Sequence, residues 1–274
     1  MLELLKVFLL GIVEGITEFL PISSTGHLIV ASALLRPDFS VALEGTFEIF
    51  IQLGAVVAVV VYYRRDLIQQ VLSVRSDEGT RRLWLALVIS AIPAAVVGFL
   101  FRNAIKELLF NPVVVAISLI VGGVLFILIE RRLAAQPLPP ATDVTAITPR
   151  QALMIGLVQT LSLVPGVSRA ATSIFGGMLM GLDRQTATRY SFYLAIPILG
   201  GATIVDLLLS LDDFTSSDFI YLAIGAIVSG IVAFIAIGWL LRYIAHNSFV
   251  PFGYYRIAAG IIILVVFANS NIVP

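Results

Sequence analysis

The sequence contains no cysteine, which excludes disulfides, thiolate nucleophiles and cysteine-ligated metal sites. Charge is also scarce, because only 12% of the 274 residues are charged, and the seventeen basic residues balance the seventeen acidic ones. This balance gives no reason to expect a nucleic acid or another polyanion as partner. Instead the chain is 59% hydrophobic, with a mean hydropathy of +1.03, against roughly 45–50% apolar residues in soluble domains. Most of the chain is therefore expected to lie in a membrane.

Six apolar stretches are long enough to cross a bilayer as helices, which takes roughly 20 residues each. They are residues 45–63, 83–101, 113–130, 190–210, 219–241 and 253–272. Two more apolar regions, 2–35 and 151–182, are interrupted by proline and hydroxyl residues. Because non-helical backbone at membrane depth must be surrounded by protein or a water-filled cavity, we predict two re-entrant helix hairpins. The predicted fold is an all-α integral membrane protein with six transmembrane helices and these two hairpins.

Short matches relate the two halves of the chain. The matching pairs are Gly11-Ile-Val-Glu14 with Gly156-Leu-Val-Gln159 at an offset of 145, Pro21-x-x-Ser24 with Pro165-x-x-Ser168 at an offset of 144, and residues 47–55 with 192–200. Gly- and Leu-rich helices also match by chance, but we interpret these matches as an internal repeat. The predicted division is a first repeat at 1–133, a linker at 134–149 and a second repeat at 150–274.

Basic residues set the predicted orientation, because short cytoplasmic loops carry an excess of Lys and Arg. The loops assigned to the cytoplasm contain Arg64, Arg65, Arg75, Arg81, Arg82, Arg131, Arg132, Arg150 and Arg242. The opposite loops contain two basic residues, Arg102 and Lys106. This assignment puts the first hairpin on the outer side and the second on the cytoplasmic side, an inverted-topology repeat. Sites in such folds lie near the midplane, where helices break.

Glu14 and Glu18 are four residues apart, so on a helix they share one face, about 6 Å apart along the axis. Two carboxylates cannot both remain charged in an apolar setting without help. Either one is protonated, or a divalent cation such as Mg²⁺ or Ca²⁺ bridges them. The alternative is that both pair within the bundle in a structural role. Ionisable residues within a membrane are by default candidates for function.

His27 follows a run of three hydroxyl residues, Ser23, Ser24 and Thr25. A single histidine is often only a satisfied polar residue. Beside hydroxyls and two carboxylates, however, it has the neighbours that a nucleophile or a general base requires. We therefore predict a catalytic or phosphate-contacting role for His27, with Ser24 beside it and Ser23 and Thr25 as candidate phosphate contacts.

Arg169 is the only basic residue of the second hairpin and needs an anion at membrane depth. Gly166 and Ser168 precede it in a turn at the predicted start of a helix, where free backbone N–H groups bind anions. Arginine adds bidentate recognition of phosphate, and Ser173 is a candidate donor from the next helical turn. Further polar residues predicted to support the site are Glu48, Gln52, Gln159 and Thr172.

Three motifs together resemble a known family. EGITEFLPISSTGH (14–27), PGVSR (165–169) and GGMLMGL (176–182) are similar to undecaprenyl-diphosphate phosphatases of the bacitracin-resistance type, and the similarity extends from residue 8 to the last span. Family members commonly have S-R-S-G-A-T where this chain has SRAATS (168–173). The chain thus lacks one hydroxyl of the motif, and Ser173 stands at the usual threonine position.

The resemblance implies a bacterial inner-membrane enzyme that removes one phosphate from undecaprenyl diphosphate. This reaction regenerates the lipid carrier for peptidoglycan synthesis and confers resistance to bacitracin. It further implies that a divalent cation assists. From the predicted orientation we expect the site to open to the periplasmic face. The active-site residues carried over from the family are Glu14, Glu18, Ser24, His27, Ser168 and Arg169.

Two questions stay open at this level. The nucleophile is Ser24, His27 or a water molecule, and the chain is either a monomer or a homodimer. A different class also fits the inverted repeat, namely a transporter or flippase for a lipid phosphate that uses Glu14, Glu18 and Arg169 to bind a cation and an anionic substrate.

Overall fold

The computed structural model describes residues 1–40, 43, 46–109, 111–135, 142–210 and 215–268. The regular secondary structure of these residues is helical. The α-helices are α1 Leu2–Thr17, α2 Ser24–Leu35, α3 Phe47–Tyr62, α4 Arg64–Ser73, α5 Glu78–Leu100, α6 Arg102–Leu109, α7 Pro112–Ala134, α8 Pro149–Gln159, α9 Arg169–Leu179, α10 Arg184–Ser210, α11 Ser216–Ile244 and α12 Val250–Ala268. Two short 3₁₀ helices lie at Val144–Ala146 and Thr160–Leu163.

Four helices, α5, α7, α11 and α12, are long and apolar enough to cross a membrane. Helix α3 is a fifth candidate, together with α4, which is bent away from it by 72°. These five candidates correspond to five of the six predicted spans. The sixth predicted span, 190–210, lies within α10, a helix of 27 residues that is not among the five. A chain with several such helices is a multi-pass membrane protein.

The helix boundaries differ from the predicted spans at several ends. Helix α5 begins at Glu78, before the predicted residue 83, because the Asp77 side chain accepts a hydrogen bond from Thr80 N and caps the helix. Helices α4 and α6 occupy segments that were predicted as loops. Residues 45 and 269–272 of the predicted spans lie outside the described residues. Hydropathy alone did not locate the start of α5, because a capping side chain fixes it.

The first hairpin consists of α1, a turn at 18–23 (the first turn) and α2. Its two outer ends lie side by side, because Lys6 Nζ donates to the carbonyl of Arg36 at 2.9 Å and Asp38 N donates to Glu3 Oε2 at 2.8 Å. Ser23 ends the first turn with φ 76°, and its hydroxyl accepts from Gly26 N at the start of α2. A left-handed backbone at a residue other than glycine costs about 1–3 kcal/mol and concentrates at functional sites.

The second hairpin repeats this design. It consists of α8, the 3₁₀ helix at 160–163, a turn at 164–168 (the second turn) and α9. Gln151 Nε2 near the start of α8 donates to the carbonyl of Met180 at the end of α9, at 3.0 Å. Ser168 has φ 77° and caps α9 by accepting from Ala171 N. In both segments the two helices that flank the break therefore fold back alongside each other.

The two turns correct the residue pairing of the predicted repeat. Ser23, not Ser24, matches Ser168, since both have a left-handed backbone and cap the following helix. These residues are 145 positions apart, as are Gly11 and Gly156. The one-residue slip in the sequence comparison disappears, and Ser24 becomes the counterpart of Arg169. The proline matches misled the comparison because a turn is defined by its dihedral angles rather than by its proline.

The described part of the predicted linker, residues 142–149, packs against the protein. Val144 and Ile147 are buried in the core, and the Asp183 carboxylate accepts from both the N–H and the hydroxyl of Thr142. Burial tends to raise the pKa of Asp183, but hydrogen bonds from Thr186 and Thr142 outweigh it and hold this pKa below its ordinary value. Asp183 is thus ionised at neutral pH and keeps this contact until the pH falls through its lowered pKa.

Helices α3 and α11 approach one another closely through small residues. A Cβ atom added at Gly54 would overlap the backbone carbonyl of Ala226. Gly54→Ala is therefore expected to destabilise the protein by about 1–3 kcal/mol, the usual cost of overpacking, and to lower its melting temperature in detergent. Gly201→Ala is the matched control, because a Cβ there meets no atom within 4 Å. Equal melting temperatures for the two variants would contradict this packing.

Candidate active site

A polar cavity of about 180 Å³ lies where the first and second turns meet. The turns are close, since a Cβ at Gly26 would lie 3.7 Å from Cα of Gly166. The lining residues are Glu18, Ser23, Ser24, Thr25, Gln52, Ser162, Leu163, Pro165, Gly166, Ser168, Arg169, Ile198 and Leu199. The structure therefore brings the two sequence motifs to one cavity, although 151 residues separate Glu18 from Arg169 along the chain.

Glu18 connects the two motifs. Its Oε2 accepts a hydrogen bond of 2.5 Å from the Ser24 hydroxyl, and its Oε1 accepts one of 2.9 Å from Arg169 Nη2. Glu18 and Arg169 form a buried ion pair. In low dielectric the attraction within such a pair offsets the cost of desolvation when further hydrogen bonds support it, as the Ser24 hydroxyl does at Glu18. One carboxylate thus orients both a hydroxyl and a cation toward the same space.

Arg169 is held in place on its other side. Its Nη1 donates to the carbonyl of Ser191 at 2.9 Å, and its guanidinium lies 5.6 Å from the centre of the Phe19 ring. Ser173 Oγ is 2.7 Å from Ser191 Oγ and donates to the carbonyl of Arg169. The Nε of Arg169 is buried without a partner. The guanidinium is therefore fixed in position and retains one free donor.

Two helix N-termini face the polar cavity. Ser24 is the first residue of α2 and Arg169 is the first residue of α9, and both line the cavity. The first N–H groups of a helix have no partner within the helix and carry part of its positive dipole end. Such ends bind phosphate and other anions. The cavity therefore combines two anion-binding helix ends with one guanidinium.

Glu14 lies next to this site but not in the cavity lining. It is fully buried, and neither carboxylate oxygen has a hydrogen-bond partner. Glu18, Glu48 and Arg169 are close enough to interact with it electrostatically. Among the described residues no group of three or more His, Cys, Asp or Glu side chains is arranged to hold a metal. Mg²⁺, however, commonly binds through one or two carboxylates plus substrate phosphate and water, and the two free oxygens of Glu14 fit that mode.

His27 is not among the residues that line the polar cavity. Its Nδ1 lies 2.7 Å from the carbonyl of Ser23, which accepts, so the proton is on Nδ1. Its Nε2 lies 2.7 Å from the hydroxyl of Tyr255, whose ring stacks on the imidazole. Both ring nitrogens are thus engaged, and the histidine ties α2 to α12 beside the first turn.

Four further predicted site residues do not line the cavity. Ser173, predicted as a phosphate donor, is fully buried behind Arg169. The Thr172 hydroxyl donates to helix carbonyls. Glu48 accepts from Ser32 at 2.9 Å, and the Gln159 amide is buried without a partner. Gln52, in contrast, lines the cavity.

Sequence reasoning missed Ser162, Ser191, Tyr255 and Arg256. Ser162 lines the cavity, Ser191 holds Arg169, and Tyr255 holds His27. Serine and tyrosine are too common in membrane helices to be singled out from one sequence. Arg256 did carry a signal, because it is the only charged residue in the last predicted span.

The fold and the cavity define a class: a multi-pass membrane protein with a polar cavity that is lined by two helix N-termini, an arginine and a serine hydroxyl. The chain belongs to the family described as bacitracin resistance protein BacA, which matches residues 7–262. The predicted family is therefore confirmed.

Curated relatives are similar to this chain in sequence over nearly its whole length. An undecaprenyl-diphosphatase of Deinococcus radiodurans is 50% identical over 261 residues, which cover 95% of this chain and 94% of the relative. An undecaprenyl-diphosphatase of Neisseria meningitidis serogroup C is 45% identical over 269 residues, covering 98% and 97%. Undecaprenyl-diphosphatase 1 of Burkholderia cenocepacia is 44% identical over 262 residues, covering 95% and 94%.

Proposed function

We propose that this chain hydrolyses undecaprenyl diphosphate to undecaprenyl phosphate and inorganic phosphate, and thereby recycles the lipid carrier for peptidoglycan synthesis and confers bacitracin resistance. The observation that carries this proposal is the contact of Glu18 with both Ser24 and Arg169 in the polar cavity. Family membership supports the same reaction. The transporter reading is not favoured, because relatives over the full length are named diphosphatases.

The geometry supports Ser24 as the nucleophile. Its Oγ attacks the terminal phosphorus while Glu18 Oε2, its hydrogen-bond partner, accepts the proton. The bond from that phosphorus to the bridging oxygen breaks, and undecaprenyl phosphate leaves with the bond's electron pair. Glu18 passes the proton to the departing undecaprenyl phosphate and is ionised again. Water then attacks the phosphoserine and gives its proton to Glu18, which donates it to the Ser24 oxygen as the bond from phosphorus to Oγ breaks, so that the Ser24 hydroxyl is restored and inorganic phosphate is released. His27 is less suited to attack, since Nε2 is engaged by Tyr255.

Arg169 stabilises the phosphoryl group in this scheme. Phosphoryl transfer gains most of its rate from fixed positive groups around the transferring oxygens. The guanidinium is already fixed by Ser191 and Glu18, so little reorganisation is needed when the substrate arrives. Ser168 and Gly166, with the starts of α2 and α9, add neutral donors at the cavity wall.

A divalent cation, Mg²⁺ or Ca²⁺, is part of this proposal. Glu14 would hold it through the two carboxylate oxygens that lack partners, while Glu18 is mostly occupied by Ser24 and Arg169. When bound, such a cation neutralises negative charge on phosphate oxygens.

We further propose six membrane spans and two re-entrant hairpins in an inverted repeat, in the bacterial inner membrane, with the site open to the periplasm. In each hairpin the two helix ends that lie away from the turn contact each other, which supports the interpretation as a re-entrant hairpin. The segment that follows the first hairpin contacts the start of α11, where Ser40 donates to Asp218, on the side that the charge pattern assigns to the periplasm. The prenyl chain would remain in the lipid between the spans.

The test of this function is phosphate release by the purified chain in detergent, where no transmembrane gradient exists. We expect release of inorganic phosphate from undecaprenyl diphosphate, loss of release on addition of a chelator, and recovery with Mg²⁺ or Ca²⁺. Gly201→Ala serves as a folded control with wild-type activity. A folded chain that binds the lipid but releases no phosphate would refute the hydrolase. Full activity in the presence of chelator would refute only the role of the cation and not the hydrolase activity.

A further inference from the structure

Arg256 on α12 is fully buried and contacts both turns of the polar cavity. Its Nη1 donates to the carbonyls of Pro21 in the first turn, at 3.1 Å, and Val167 in the second turn, at 3.0 Å. Its Nη2 donates to the carbonyl of Gly166 at 2.9 Å and to that of Ser118 on α7 at 3.3 Å. One side chain therefore joins the two helix breaks to each other and to the bundle.

The turn carbonyls need this guanidinium. Pro21, Gly166 and Val167 lie outside the helices, and their carbonyls accept no other hydrogen bond within the described residues. Buried carbonyls without donors are costly, above all at membrane depth where water is absent. Arginine suits the task because its planar group presents several donors in fixed directions, which lysine does not.

The charge of Arg256 has no carboxylate partner among the described ion pairs. Its guanidinium instead lies 4.9 Å from the centre of the Phe126 ring and bonds to four carbonyls. Gly122 on α7 provides the space, since a Cβ there would overlap Nη2 of Arg256. The group thus sits in a fitted site directly behind residues that line the cavity.

We propose that Arg256 is a positioning residue that holds the first and second turns in register. Ser24, which follows the first turn, and Arg169, which follows the second, then contact the same phosphate. This inference rests on the proposed function. Arg256 makes no contact with the side chains that react. It acts through the backbone carbonyls of Gly166 and Pro21. Misplacement of reacting groups by about 1 Å can cost roughly 10²-fold in rate.

The test compares three variants by two measurements. Arg256→Gln removes the guanidinium and its charge, and Arg256→Lys keeps the charge but has fewer donors in fixed directions. Gly122→Ala keeps Arg256 but displaces its guanidinium. We expect kcat/KM to fall roughly 10²-fold in Arg256→Gln and less in Arg256→Lys, and to fall in Gly122→Ala as well. The second measurement is the rise in melting temperature on adding inorganic phosphate, which reports binding without turnover. We expect this rise in melting temperature to be reduced most in Arg256→Gln and less in Arg256→Lys, and to be reduced in Gly122→Ala as well.

Two glycine variants serve as controls. Gly201→Ala should match the wild type in both measurements. Gly54→Ala should lower the melting temperature without changing the phosphate-induced rise, as expected of a purely structural defect. If Arg256→Gln does not fold, Gly122→Ala decides the question. Wild-type kcat/KM and phosphate response in folded Gly122→Ala and Arg256→Lys would overturn the positioning role. A wild-type chain that is stabilised by phosphate but releases none would refute the proposed function and leave the Arg256 test intact.

Discussion

Replacing Arg169 with lysine is expected to lower kcat/KM for phosphate release by roughly 10³–10⁵-fold, the range attributed to an arginine that stabilises a transferring phosphoryl group. Lysine keeps the charge but cannot bond to Glu18 and the Ser191 carbonyl while also facing the phosphate. The measurement is steady-state phosphate release from undecaprenyl diphosphate in detergent.

Arg189→Lys is the matched control for this substitution. Arg189 also pairs with a carboxylate, Asp66, and lies over tyrosine rings, but it does not line the polar cavity. We expect near wild-type turnover in Arg189→Lys. If Arg169→Lys, correctly folded, retained activity within tenfold of the wild type, Arg169 would not be the phosphoryl-stabilising group.

Removing the Ser24 hydroxyl should have an effect of similar size. Ser24→Ala is expected to reduce turnover by about 10⁴-fold or more, as for other enzymes that lose a serine nucleophile. The loss should lie in kcat, because the anion-binding groups around the phosphate remain. Single-turnover reaction with a labelled terminal phosphate, quenched in acid, should also trap phosphate on Ser24 in the wild type and on no residue in Ser24→Ala.

His27→Gln separates the two candidate nucleophiles. Glutamine retains a hydrogen-bonding group toward the Ser23 carbonyl and Tyr255, the two partners of the imidazole. If Ser24 is the nucleophile, His27→Gln should still form the phosphoserine, although more slowly because the first turn is less firmly held. A phosphohistidine in the wild type, or normal turnover in Ser24→Ala, would overturn the assignment of Ser24.

The site residues that the sequence predicted most directly are charged residues within apolar segments. Carboxylates at 14 and 18 and an arginine at 169 stand out in apolar segments because burying a charge is costly. The contact between these carboxylates and Arg169 was harder to predict, because that prediction depended on an inverted repeat. The structure places Glu18 and Arg169 in contact, whereas Glu14 lies beside them with free oxygens.

Predictions about neighbouring hydroxyls and amides were weaker for a physical reason. Whether a serine on a helix faces a cavity or bonds back to a carbonyl depends on rotation about the helix axis. Sequence alone does not define that rotation near a break. Ser173 bonds to the Arg169 carbonyl and Ser191, while Ser162, which was not predicted, lines the cavity.

By itself the sequence determined that this is a helical membrane protein, where its helices break, and to which family it belongs. Apolar length, helix-breaking residues and buried charges are local properties, and they can be read along one chain. Only the tertiary structure decided that Ser23 rather than Ser24 matches Ser168, that His27 turns to Tyr255, and that Arg256 joins both turns. These features depend on dihedral angles and on contacts between residues up to 235 positions apart, which no local pattern encodes.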